Sequence, residues 1–215
     1  MKRVLVYGDS NTWGAKPIKR YNIIERYDFL DRFPGVLQDE LGSNYIIIEE
    51  GNPGRTTIWD DPIEGSKNGK TYLIPCLDSH QPLDIVIINL GTNDLKGRFS
   101  LSAFDIARSA GVLVSMVQHW NPFVGQKPKV LLVSPPPIST LPQFFQPMFI
   151  GAEEKSKRFS DEFRKTAVDL ECNFFDAGEY VRPSEIDGVH YEKEAHLRLG
   201  KELAKKIRQM LVNRN

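Results

Sequence analysis

Apolar residues gather in five short runs that end at Tyr7, Glu49, Leu90, Ser134 and Asp176. Val4-Leu5-Val6, Ile46-Ile47-Ile48 and Ile85-Val86-Ile87-Ile88 are continuous, with no polar residue on alternate positions. Runs of this kind suit strands covered on both faces, as in a parallel sheet. Between them the apolar positions recur at three- and four-residue spacing, as in Ile106, Ala110, Leu113, Val114 and Val117. That spacing predicts helices over 32–41, 71–80, 102–120, 153–171 and 194–213, the first closed by Gly42. Strand and helix alternate throughout, which predicts an α/β/α sandwich of five parallel strands, with residues 1–215 as one domain.

Two connections are longer than such a fold needs. Residues 11–31 carry Trp13, Tyr21, Tyr27 and Phe29, and residues 135–152 carry Phe144, Phe145, Met148, Phe149 and Ile150. The second set is too apolar for a freely solvated loop. It either folds back on this chain's core or meets another subunit.

Composition narrows the function. With 215 residues the chain can bury a sizeable core, and 40% hydrophobic with 26% charged residues is the balance of a soluble globule. A formal net charge of +0 argues against a nucleic-acid or anionic-membrane partner. Cys76 and Cys172 show no metal or redox spacing, so they read as free thiols suited to a reducing compartment. Met1-Lys2-Arg3 followed by Val4 to Tyr7 is too short for a signal segment, and no apolar stretch reaches a membrane span. A cytoplasmic location is the expectation. Gly8 to Gly14 lacks the Lys-Ser/Thr of a phosphate loop, and no Gly-x-Gly-x-x-Gly occurs.

The candidate chemistry begins at the end of the first strand, with Gly8-Asp9-Ser10. A serine nucleophile needs exposure, a base and a prepared anion site. Gly8 permits the sharp turn that leaves Ser10 outside the strand's carboxyl end, where open α/β sheets bind ligands. Two later strand ends carry donors for a developing oxyanion: Gly51-Asn52-Pro53-Gly54 and Gly91-Thr92-Asn93-Asp94. Pro53 has no N–H, so the second strand's donor is Gly54 or Gly51. Ser10 N–H and the Asn93 amide complete the set, although Asn93 also suits a helix cap.

The base must come from His80, His119, His190 and His196. Only His190 has a carboxylate within its own loop, Asp187, placed to hold the ring while the other nitrogen faces Ser10. Asp176, at the end of the last strand, is the spare acid. Asp9 reads as an Asx residue that stiffens the turn, and Arg55 and Asp94 read as makers of local bonds. Trp13, three residues past Ser10, either walls the acyl pocket or anchors the loop.

These blocks, in this order, resemble the SGNH (GDSL) hydrolase family over nearly the whole chain. Glu49-Glu50-Gly51 with Arg55-Thr56-Thr57, and Val133-Ser134-Pro135-Pro136-Pro137, are similar to its arylesterase/acyltransferase branch. Pro53 stands where relatives carry a small polar residue. The resemblance implies the flavodoxin-like fold of that family and a cofactor-free serine esterase for small, short-acyl esters. It also implies that alcohols or peroxide compete with water for the acyl group, and that copies of the chain assemble, with residues 135–152 as the expected interface. Removal of acetyl groups from a sugar or peptidoglycan fragment is the alternative at the same site. A non-catalytic α/β binding module is the alternative of a different class.

Overall fold

The computed structural model describes residues 1–20 and 23–212. Tyr21 and Asn213, which figured in the sequence reading, lie outside the described residues. Five parallel strands form one sheet: β1 (Lys2–Gly8), β2 (Tyr45–Gly51), β3 (Ile85–Asn89), β4 (Lys129–Ser134) and β5 (Asn173–Asp176), in the order β2-β1-β3-β4-β5. The chain leaves β1 toward the β2 edge and returns to build the other side of the sheet from central β3. The crevice between β1 and β3 is therefore the topological switch point, where doubly wound sheets take ligands.

Seven α-helices are described: α1 (Ser10–Trp13), α2 (Phe33–Leu41), α3 (Gly69–His80), α4 (Ala103–His119), α5 (Ala152–Ser156), α6 (Phe159–Asp169) and α7 (Lys193–Val212). Strand residues alternate between faces, so each run feeds two cores. Val4, Val6, Ile85, Ile87, Leu131 and Val133 pack with Phe33, Leu37, Leu203 and Ile207 of α2 and α7. Leu5, Tyr7, Val86, Ile88, Val130 and Leu132 pack with Leu73, Leu113, Val117 and Phe163 of α3, α4 and α6. No described helix is long and apolar enough to cross a membrane.

Local signals set the helix ends. Ser102 and Asp105 form a reciprocal capping box at the start of α4, and Asn68 accepts from Lys70 N–H (2.9 Å) to begin α3 two residues ahead of expectation. The single helix expected over 153–171 is two. The interruption follows buried Ser156, whose Oγ accepts Ile138 N–H at 3.1 Å and donates to the Glu153 carbonyl at 3.0 Å. A side chain committed to both contacts turns the segment inward before Phe159 and Phe163 enter the core.

The apolar segment 135–152 folds back on the chain itself. Phe145 and Phe149 are 6% and 3% exposed and belong to the core, with Phe144 and Met148 packed against it. Ile150 alone of the five stays largely exposed. Phe145 and Phe149 are thus accounted for within one chain, while Ile150 lies on its surface.

Candidate active site

The register of the sheet brings three strand ends level. Gly8 lies opposite Gly51 on one side and Asn89 on the other, so the loops after β1, β2 and β3 leave from one edge. Gly8 has no substitute, because a Cβ there would sit 1.9 Å from Thr12 Oγ1. That contact lets α1 fold directly over the strand end. Asp9 caps it, its Oδ1 accepting Asn11 N–H at 2.9 Å, and Ser10 emerges as the first helical residue.

Ser10 Oγ lies 3.0 Å from His190 Nε2, and His190 Nδ1 lies 2.7 Å from Asp187 Oδ2. The carboxylate is fully buried and fully engaged: Oδ2 also accepts Ile18 N–H at 2.6 Å, while Oδ1 accepts Val189 N–H and His190 N–H, both at 2.9 Å. Burial by itself pushes Asp187 up. The bond and charge of His190, with the N–H groups of Ile18 and His190, outweigh it and hold the carboxyl below its ordinary value. Asp187 thus stays an anion beside the imidazole, the state that fixes Nδ1 as the protonated nitrogen and leaves Nε2 to accept from Ser10.

Asn11 was passed over in the sequence, although it adjoins Ser10. Its Nδ2 donates to the Val189 carbonyl and its Oδ1 accepts Tyr191 N–H, both at 3.2 Å. These residues flank His190, so one amide ties the histidine segment to the serine turn. An amide side chain directly after the serine, able to donate and accept at once, was the available signal.

Gly54 has φ +84, which favours glycine, and its N–H makes no hydrogen bond among the described residues. The Ser10 N–H is equally uncommitted. Asn93 Nδ2 donates to the Arg55 carbonyl at 3.2 Å, which uses one of its two N–H groups and orients the other. Of the two second-strand glycines, Gly54 lines the cavity described next, whereas Gly51 ends β2 opposite Gly8. Ser10, Gly54, Asn93 and His190 line one cavity of about 230 Å³ together with Ile18, Ile24, Phe145, Met148, Phe149 and Val189. Pro53, Glu64 and Lys96 complete its wall.

Supporting residues hold this edge together. Arg55 Nη1 donates to the carbonyls of Gly8 (3.0 Å) and Glu50 (2.5 Å), and its guanidinium lies 4.2 Å from the Tyr7 ring centroid. Asp94 accepts from the Thr57 N–H and hydroxyl and is wholly buried, which pushes its carboxyl up to about 6. Burial likewise pushes Asp9 up to about 6.

Trp13 does not line the cavity. Arg26 covers its ring at 4.8 Å, donates to its carbonyl at 2.7 Å and pairs with Glu49, so Trp13 anchors the loop rather than walling the pocket. Asp176 is not the partner of His190; its Oδ1 accepts Gly178 N–H at 2.8 Å in a turn after β5. His119 bonds the Ser115 carbonyl on an exposed helix face. His196 is fully buried among Tyr27, Phe33 and Tyr191, and burial lowers its pKa to about 3, so it stays neutral. His80 Nε2 lies 2.8 Å from Glu50 Oε1, and with Cys76 these form the one described group able to offer three metal ligands. Burial and the charge of Glu50 push the Cys76 thiol up to about 12, so it sits there as a protonated donor.

Comparison with known proteins decides the family. Residues 6–198 match the GDSL-like lipase/acylhydrolase family. The chain belongs to that family. As a GDSL-like acylhydrolase it is a carboxylic ester hydrolase, and solved structures resemble it over their whole length. The Mycobacterium smegmatis aryl esterase is 41% identical, with 97% of this chain and 99% of that one covered and a TM-score of 0.94. Est24, a carbohydrate acetylesterase from Sinorhizobium meliloti, is 42% identical, with coverage of 98% and 100% and a TM-score of 0.94. A putative arylesterase from Agrobacterium tumefaciens is 36% identical, with coverage of 97% and 99% and a TM-score of 0.85. No curated protein sequence matches the chain.

Proposed function

We propose that this GDSL-like acylhydrolase cleaves small, short-acyl esters through an acyl-enzyme on Ser10. The observation that carries the reading is the unbroken line Asp187–His190–Ser10, with contacts of 2.7 and 3.0 Å. Ser10 Oγ attacks the ester carbonyl as His190 Nε2 takes its proton. The carbonyl oxygen becomes an oxyanion held by Ser10 N–H, Gly54 N–H and the Asn93 amide. Collapse of the adduct breaks the ester C–O bond, and His190 returns the proton to the departing alcohol. Water then adds to the acyl-enzyme by the same route and releases the acid and free Ser10.

The cavity, about 230 Å³ and walled by Phe145, Met148 and Phe149, suits a short acyl chain. Its apolar lining favours small alcohols over water as the second nucleophile, so acyl transfer accompanies hydrolysis. Labelling with a fluorophosphonate probe tests the core of the reading. Wild type should be labelled and Ser10→Ala should not, and label on Ser10→Ala would overturn it. Product analysis with an aryl acetate and added primary alcohol tests the transfer. The carbohydrate acetylesterase neighbour favours acetylated sugars as a second substrate class, reached through the same residues.

A further inference from the structure

One wall of the cavity is charged, which a site for purely apolar esters does not require. Lys96 is 3% exposed, and its Nζ lies 2.5 Å from Glu64 Oε1 and 3.7 Å from Asp61 Oδ2. Arg98 Nη1 binds Asp61 Oδ1 at 2.8 Å and approaches Glu64 Oε1 at 3.6 Å. Two cations and two carboxylates thus form a neutral cluster. The loop that carries Glu64 is fixed by Asp61, whose Oδ1 also accepts the N–H groups of Ile63 (2.9 Å) and Glu64 (3.0 Å). Burial pushes Asp61 up, but those N–H groups, Arg98 and Lys96 hold it below its ordinary value, so it remains an anion.

Only one Glu64 oxygen is used. Oε2 accepts no hydrogen bond among the described residues, and it lies so near Gly54 that a Cβ there would be 2.6 Å away. Gly54 is the residue whose free N–H faces the reacting carbonyl. A carboxylate beside a developing oxyanion opposes the reaction unless its charge is cancelled, and Lys96 cancels it. What remains is an acceptor oxygen with a buried ammonium behind it, beside Gly54 in the lining of the cavity that Phe145, Met148 and Phe149 also line.

We infer that Glu64 and Lys96 form a subsite for a free hydroxyl on the alcohol portion of the ester. This rests on the serine-esterase reading above. The acyl chain, with no donors of its own, belongs against the phenylalanines. The alcohol portion then meets Glu64, whose Oε2 accepts a hydrogen bond from a hydroxyl. The substrate class is therefore an acetylated sugar or other polyol that keeps unmodified hydroxyls near the ester. A substrate with an anionic alcohol portion would meet Glu64 unfavourably.

The test compares substrates that give the same acetyl-enzyme: a mono-O-acetylated hexose and 4-nitrophenyl acetate. In Glu64→Ala the ratio of their kcat/KM values should fall about tenfold or more, the weight of one hydrogen bond to a charged acceptor. Glu64→Gln, which keeps an acceptor oxygen, should recover part of it. Lys96→Met should depress kcat on both substrates, and adding Glu64→Gln should relieve that loss. A ratio within twofold of wild type in Glu64→Ala overturns the inference. If a variant loses both activities, the wild type decides. It must favour the mono-acetylated hexose over the fully acetylated sugar by about tenfold, and indifference between them overturns the inference. Persistence of 4-nitrophenyl acetate hydrolysis in Ser10→Ala is a separate failure, that of the esterase reading itself.

Discussion

Ile18 donates its backbone N–H to Asp187 Oδ2 at 2.6 Å, although the two residues are 169 positions apart. The same oxygen faces His190 Nδ1 at 2.7 Å, so a backbone group from the first long loop helps fix the acid behind the base. An amide at this position cannot reproduce the arrangement. Whichever branch of the substituted side chain carried the NH₂ would oppose either Ile18 N–H or the N–H groups of Val189 and His190. With the NH₂ toward His190, the ring would also be forced into the wrong tautomer.

Asp187→Asn should therefore lower kcat by about 10⁴, while Ser10→Ala or His190→Ala costs on the order of 10⁴ to 10⁶. Asp176→Asn serves as the control and should stay within a few-fold of wild type. Steady-state kinetics on an aryl acetate reads all four. A crippled Asp176→Asn beside an active Asp187→Asn would transfer the orienting role.

Asn93→Ala should lower kcat by about 10² to 10³ with little change in KM, because its free N–H matters most once charge develops on the carbonyl oxygen. A change confined to KM would make Asn93 a contact for the ground-state ester.

Asn11→Ala removes both ties between the serine turn and the residues flanking His190. Loss of alignment at the 3.0 Å Ser10–His190 contact should cost kcat up to about 10²-fold. Fluorophosphonate labelling should slow in parallel. Unchanged labelling would mean that the histidine segment is held by other contacts.

The buried carboxylates give the protein an unusual pH response. Asp94 has its pKa raised from 3.8 to about 6, so between those values the folded state holds a proton that the unfolded state has released. Stability from this group therefore falls as pH rises through that window, and Asp9 acts in the same direction. Asp187, lowered by its partners, acts oppositely: its contribution is present above 3.8 and is lost as pH falls through the folded value. In Asp94→Asn the stability relative to wild type should improve between pH 4 and pH 7, by at most about 3 kcal/mol. Urea unfolding at the two pH values measures it, and a pH-independent difference would refute the burial argument.

Phe149→Ala should enlarge the cavity and move acyl preference from acetyl toward longer esters. The accompanying loss of stability should be about 3 to 5 kcal/mol, since Phe149 is 3% exposed. Relative kcat/KM across a series of 4-nitrophenyl esters reports the shift. An unchanged chain-length profile would place the acyl group elsewhere.

Much of this was legible because the relevant residues follow strand ends or sit in local pairs. Once β1, β2 and β3 were recognised as parallel, Ser10, Gly54 and Asn93 had to leave the sheet from one edge, and Asp187 and His190 share one loop. Three matters were decided by contacts between distant segments. Trp13 lies within reach of Ser10 in sequence, but its ring is covered by Arg26, which pairs with Glu49. Phe145 and Phe149 could have faced a neighbour or the core with the same composition. The Glu64–Lys96 pair joins loops 32 residues apart and carries no local pattern.

Gly188, between Asp187 and Val189, has φ +76 and touches the pocket segment closely: Ser139 N–H donates to its carbonyl at 2.8 Å, and a Cβ would lie 2.8 Å from the carbonyls of both Ser139 and Thr140. The stretch that lines the cavity is thus the one that braces the histidine loop. Remodelling 135–152 for bulkier substrates will disturb the timing of proton transfer as well as the space available. Substrate range and catalytic rate in this enzyme cannot drift independently, and laboratory evolution of one should repeatedly select compensating changes at 184–190.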